Sequence, residues 1–298
     1  MIFSRSRNQI IPAIIFLLPG FALFAVFFLG PLLYSLRISF FDWNFAHPER
    51  SVWVGFGNYI EQLKSPIFQR AVMNTAAYTM ITVTVKMVLG FIVAVLLNQK
   101  MRGRTFFRVA YYLPVITSWV IVSLLFTYMF SGQSGLVNYF LNDMLHITDH
   151  DIMWLADGVL ALVPVVLVDI WKGVGWAAVI FLAGLQSIPV DLNEAASVDG
   201  ANRWQQLIYI TLPLMRGTLV FLLVVLILGG LNAFVPFQLI THGGNPMDQT
   251  HSILTLMMRA TFSRLDFGSG AAISYMLTVF VFLFSLLQLK LLRKPKGE

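Results

Sequence analysis

The chain has 298 residues, of which 58% are hydrophobic and only 11% charged, and its mean hydropathy is +0.77. Soluble globular domains carry about 25% charged residues, so this composition excludes a water-soluble domain; the lack of any cysteine removes disulfides, thiolate nucleophiles and cysteine metal sites. The net charge of +6 sits around apolar stretches, where it orients a membrane protein rather than marking a nucleic-acid partner.

About 20 apolar residues cross the hydrocarbon core as a helix, and six stretches qualify. They are residues 10–36, 71–97, 106–130, 158–185, 213–235 and 271–292. The first follows Arg5 and Arg7 like a signal peptide, but it is too long for an h-region of about 7–15 residues and reads as a retained span. Lys86 lies inside the second span, and Asp169 and Lys172 lie inside the fourth. An ammonium there costs at least ~2.5–3.5 kcal/mol. Lys86 is therefore expected to pair with Asp169 or with helix carbonyls. The third span offers Trp119 and Tyr128, the fourth Trp171 and Trp176, and the fifth Asn232, Phe234 and Gln238. The five histidines fall in loops and read as solvated side chains.

Basic residues set the orientation. Arg5, Arg7, Lys100, Arg102, Arg104, Arg108, Arg203, Arg216, Lys290, Arg293, Lys294 and Lys296 share the N-terminal side, against Arg37, Arg50, Lys64, Arg70, Arg259 and Arg264 on the other. Both termini are therefore expected in the cytoplasm, as is the polar loop at 188–212. Within that loop, Asp191 and Glu194 have capping-box spacing before a helix at 192–198. Asp199-Gly200 is a turn signal, and Asn202 with Gln205 can cap a second helix. Thr211 and Pro213 then suit an N-cap and an early helical position for the fifth span. Helix, sharp turn, helix is a poor simple connector and a good knob for another protein.

The spacing Glu194-Ala195-Ala196, Gly200, Ile210, Leu212-Pro213 resembles the EAA loop of ABC importer permeases. The segments FLLPGFALFAVFFLGPLLYSLRISFFDW, LLNQKMRGRTFFRVAYYLP, DIWKGVGWAAVIFLAGLQSIPVDLNEAASVDGA and LITHGGNPMDQTHSI are similar, in that order, to carbohydrate-importer permeases of the maltose-permease type. A proline soon after Leu212-Pro213 is usual in that pattern; Arg216-Gly217 stand there instead.

The resemblance implies an all-α, polytopic bundle of six transmembrane helices with a cytoplasmic coupling-helix loop, forming one transmembrane domain over residues 1–298. It implies the permease subunit of a binding-protein-dependent importer for a sugar or oligosaccharide, in the bacterial inner membrane. Its partners would be a second related permease, two ATPase subunits holding ATP and Mg, and an extracytoplasmic solute-binding protein. Glu194, Ala195, Ala196, Asp199 and Gly200 would couple to the ATPase. Asn232, Phe234, Gln238, Trp171, Trp119 and Tyr128 are candidates for the substrate pathway, where aromatic faces and amides suit a sugar.

The chain has no Gly-Lys pair, hence no GxxxxGK[ST] phosphate loop of its own. HExxH and GxSxG are also missing, so no cofactor, metal or catalytic site is expected in this chain. Alternative readings are an importer of a sugar or polyol phosphate or acidic sugar, and a self-sufficient secondary transporter. The latter is disfavoured because no inverted repeat is visible. A membrane enzyme lacks a catalytic cluster.

Overall fold

The computed structural model describes residues 7–99 and 102–292. Arg5, Lys100, Arg293, Lys294 and Lys296, used above for orientation, lie outside them. Helix α1 (Arg7–Phe24) runs through a π turn at Ala25–Leu29 into α2 (Gly30–Ile38). A two-stranded antiparallel hairpin, β1 (Phe41–Asp42) with β2 (Val52–Trp53), leads to the short helix α3 (Gly57–Lys64). Next come α4 (Pro66–Asn98), α5 (Arg104–Ile116), α6 (Trp119–Met129), α7 (Leu136–Tyr139) and α8 (Leu162–Gln186). The polar loop forms α9 (Val190–Val198) and α10 (Arg203–Gln206). After it come α11 (Leu212–Leu214), α12 (Arg216–Leu231), α13 (Val235–Ile240), α14 (Ile253–Met258) and α15 (Phe267–Leu292). Among the described residues, five helices or near-continuous helical runs are long and apolar enough to cross a membrane, or six if the bent pair α5–α6 is one span.

The chain divides into two compact units. One comprises residues 1–64 and 257–276. In it, the Tyr275 hydroxyl donates to Leu32 O at 2.5 Å, tying the start of α15 to α2. The side chains from Ile14 to Leu33 are exposed throughout, which suits a helix bathed in lipid.

The other unit, residues 65–256 and 277–298, is built on α4 and α8. On α4 the buried positions Thr75, Tyr78, Thr79, Thr82, Lys86, Gly90, Val93 and Leu97 recur every three or four residues and make one stripe. On α8, Val165, Val168, Lys172, Gly175, Ala178, Phe181 and Leu185 do the same, with Asp169 buried beside Val168. The seam between them is close because it is made of small residues: a Cβ at Gly90 would lie 3.2 Å from Ala178 N and collide with the Ala177 side chain. Membrane helices associate by such packing, since lipid tails remove the hydrophobic drive.

Three of the sequence expectations are corrected here. The third span is not continuous: α5 and α6 meet at 92°. Pro114 inside α5 has no N–H for the helical ladder, and Thr117 and Ser118 adopt extended backbone, with ψ of 148° and 132°. The fifth span reaches Ile240 rather than 235, and it breaks at Asn232–Phe234 before α13 resumes with Pro236 in its first turn. Finally, the histidines are not all solvated. His251 is fully buried, its ring against Thr255 Oγ1 at 3.3 Å and Asp248 Oδ1 at 3.5 Å.

Candidate functional site

Both breaks face one cavity of about 390 Å³. Its walls include Trp119 at the start of α6, Asn232 and Phe234 from the break in the fifth span, Tyr78 and Lys86 from α4, and Asp169 and Trp176 from α8. Irregular backbone survives at membrane depth only where protein or a cavity satisfies it, and here both solutions are visible. Lys172 takes the carbonyls freed by the break in the third span: its Nζ donates to Pro114 O at 2.8 Å, Val115 O at 2.9 Å and Thr117 O at 2.6 Å. An ammonium has three N–H donors, and each has an acceptor. The positive charge also faces the negative end of the α5 dipole, and it lies 5.2 Å from the centre of the Trp119 ring. One lysine thus holds the break and places the indole that lines the cavity.

Lys86 solves its own burial differently. Its Nζ donates to Asp169 Oδ2 at 2.7 Å, with both side chains nearly sealed from solvent. The aliphatic stem crosses Gly173, where a Cβ would strike it. Tyr78, also buried on α4, lines the same cavity as this pair. Of the two partners expected for Lys86, Asp169 or helix carbonyls, the structure shows Asp169. Asp169 serves Lys86 and not Lys172, its neighbour on α8.

At the other candidate site, α9 and α10 form a stitched elbow. Gly200 has φ +82°, a region that disfavours side chains. Asn202 Oδ1 accepts from Gln205 N at 2.9 Å, while Gln205 Oε1 accepts from Asn202 N at 2.7 Å. This is the reciprocal capping box expected there. Gln206 Nε2 donates back to Ser197 Oγ and Ala201 O, both at 3.0 Å, and ties the second helix to the first. Glu194, Ala195, Asp199 and Gly200 are exposed and Ala196 is half-buried. Beside them Val198 and Trp204 are 88% and 73% exposed.

The comparisons with known proteins then decide the family. Residues 86–296 match the family described as binding-protein-dependent transport system inner membrane component. The chain belongs to this family of inner-membrane transport components. The permease is 31% identical to the probable ABC transporter permease protein YurN of Bacillus subtilis, over 98% of this chain and 99% of the relative. It is 30% identical to the lactose transport system permease protein LacF of Rhizobium radiobacter, covering 98% of each chain. Its fold is similar, with a TM-score of 0.82 and 25% identity, to a crystal structure of a bacterial ABC transporter involved in the import of the acidic polysaccharide alginate, covering 98% of the permease and 97% of that chain.

The six pathway candidates do not stay together in the permease. Trp119, Asn232 and Phe234 share the cavity, joined by Trp176. Trp171 points elsewhere, into an apolar cavity of about 630 Å³ with Phe126, Pro114 and Leu167. Tyr128 is 75% exposed on α6, and Gln238 lies against Gly243. Trp171 and Trp176 are five residues apart, about 140° round a helix, so they could not face one site. Sequence reasoning missed Tyr78. Its spacing to Lys86, eight residues, places both on one face of α4 and was the available signal.

Two details of the polar loop are corrected. α9 begins at Val190 with Pro189 as its N-cap, so Asp191 sits inside the first turn and forms no capping box with Glu194. Thr211 is helical, with φ −66° and ψ −54°, and caps nothing. The chain winds from α10 through a π turn at Leu207–Thr211 straight into α11.

Proposed function

We propose that this permease forms one half of the pathway of an ATP-driven importer for a neutral sugar or oligosaccharide. The observation that carries the cargo is the cavity at the two helix breaks. It offers the aromatic faces of Trp119, Trp176 and Phe234 beside the Asn232 amide, the mix of apolar wall and few polar groups typical of small-molecule sites. Neutral cargo follows from the fate of the two buried lysines. Lys86 is matched by Asp169 and the three donors of Lys172 end on carbonyls, so both ammonium groups already have partners. The names of the relatives support a saccharide cargo.

In this reading a second, related permease completes the pathway and an extracytoplasmic binding protein delivers the cargo. Two ATPase subunits supply the ATP and Mg site that this chain lacks. The elbow docks into an ATPase, with Glu194 as its polar contact and Ala195 and Ala196 allowing close approach. The surplus of Lys and Arg on that side supports a cytoplasmic position for the elbow and both termini.

The test is ATP-dependent uptake in proteoliposomes holding the whole importer, with neutral and acidic oligosaccharides in competition. Neutral sugars should compete, and Trp119→Ala should raise their KM. Competition by acidic sugars alone would overturn the cargo.

A further inference from the structure

The cargo pathway leaves α3 unexplained. This helix belongs to the same compact unit as the first span, and three contacts fix its level there. Asn58 Nδ2 donates to Ser39 O and Phe41 O, both at 2.9 Å, just where α2 has ended. The Ser39 and Tyr59 hydroxyls are 2.7 Å apart. Gly268, in the first turn of α15, packs so closely on Phe41 O and Asn58 that no Cβ would fit. Two apolar spans therefore end level with the first turn of α3.

At 100° per residue, α3 shows three faces. Asn58 is buried and Gln62 half-buried against the protein. About 150° away, Phe56, Ile60 and Leu63 form an apolar stripe that is 66%, 51% and 57% exposed. Glu61 and Lys64 are exposed on the remaining face. A helix at the rim of a bilayer needs one surface for protein, one for acyl chains and one for water. The neighbouring aromatics agree: Trp53 is exposed, Tyr34 and Trp43 meet edge to face, and Arg37 sits over the Phe41 ring at 5.6 Å. Tryptophan, tyrosine and arginine together mark the headgroup level.

We propose that α3 lies in the headgroup–acyl boundary of the leaflet at the far end of the first span, with Phe56, Ile60 and Leu63 in lipid, and so anchors that end of the permease. The segment from Arg37 to Lys64 has as many basic as acidic side chains, namely Arg37, Arg50 and Lys64 against Asp42, Glu49 and Glu61. The anchor is thus apolar and does not need anionic lipid.

Because the chain has no cysteine, single spin labels can be placed at Ile60, Leu63 and Glu61 in the whole importer, in phosphatidylcholine nanodiscs. Collision with oxygen reports lipid, and collision with a nickel chelate reports water. Labels at Ile60→Cys and Leu63→Cys should favour oxygen several-fold more than the label at Glu61→Cys. All three positions are exposed, so the substitutions remove little packing; copurification of the ATPase confirms assembly, and either apolar position suffices. If the Ile60 and Leu63 labels meet the chelate as the Glu61 label does, the helix stands in water and the proposal fails. If they are closed to both reagents, a protein covers the stripe and the proposal fails equally.

Discussion

The elbow and the cavity are both irregular, but their irregularity has different sources. The elbow is made by neighbours in sequence: Gly200 supplies the turn, Asn202 and Gln205 cap each other, and Gln206 reaches back nine residues to Ser197. The cavity is made by distant partners: Lys172 holds carbonyls 55 to 58 residues away, and Lys86 meets Asp169 across 83. Local turns in water are cheap to build and cheap to lose. Broken helices inside a bilayer persist only where a remote side chain replaces the missing hydrogen bonds. Substitutions should therefore cost the cavity stability and cost the elbow mainly its signalling.

The largest effect is expected at the buried pair. Lys86→Met leaves the Asp169 carboxylate sealed without its cation, which costs about 3–5 kcal/mol. Asp169→Asn strands the ammonium and should cost a similar amount. The double variant should regain most of that loss, because it buries no charge. Thermal unfolding of the purified complex measures the cycle, and additive losses would mean that the pair is not a unit.

Lys172→Met should come next. It frees three carbonyls at the α5–α6 break, and hydrogen bonds to charged groups are worth about 1.5–3 kcal/mol, part of which water entering the cavity recovers. Lowered melting should come with a raised KM, since Trp119 loses the ammonium beneath its ring. Lys172→Arg should rescue only partly, because a planar guanidinium cannot direct three donors from one nitrogen to three separate carbonyls. Full rescue would show that charge alone holds the break.

Gly200→Val moves the comparison to the elbow. A Cβ there meets nothing within 4 Å, so the cost is conformational, about 1–2 kcal/mol. Insertion and melting should barely change, while substrate-stimulated ATP hydrolysis falls; Glu194→Ala should do the same. Full stimulation in both variants would remove the coupling role. The smallest effect belongs to Asn202→Ala, a lost N-cap worth about 1 kcal/mol. Hydrogen exchange at the Gln205 amide should rise about fivefold with melting unchanged.

This contrast also explains what the residues revealed in advance. The helical class and the bundle of apolar spans were legible because membrane length imposes long apolar runs. The Gly200 turn and the Asn202 cap were legible because each is complete within a few residues. The Lys86–Asp169 pair was legible for another reason: a charge inside a span has few ways to be satisfied, and Asp169 is the one acidic residue within the six apolar stretches. The break at Thr117–Ser118 was hidden. Pro114 hinted at it, but membrane helices also tolerate proline with a mere kink, and nothing near Pro114 announces that Lys172 waits on another helix. Trp171 misled for the opposite reason, since an aromatic beside a lysine reads the same whether it faces the pathway or the apolar cavity behind it. Asp191 misled because its spacing to Glu194 fits a capping box, while Pro189 starts the helix two residues earlier.

The seam between α4 and α8 gives the permease a lever. With the Lys86–Asp169 bond and the Gly90 contact joining them, the two long helices can tilt only together. The elbow hangs directly on one of them: α8 ends at Gln186 and α9 begins at Val190. Asp169 lies 17 residues before Gln186, about 26 Å up the same rod. A tilt of about 10° forced at the elbow would therefore displace the cavity wall by about 4–5 Å relative to the loop. That stroke approaches one helical turn, and within α8 it needs no hinge between the end beside the elbow and the wall that would meet a passing sugar.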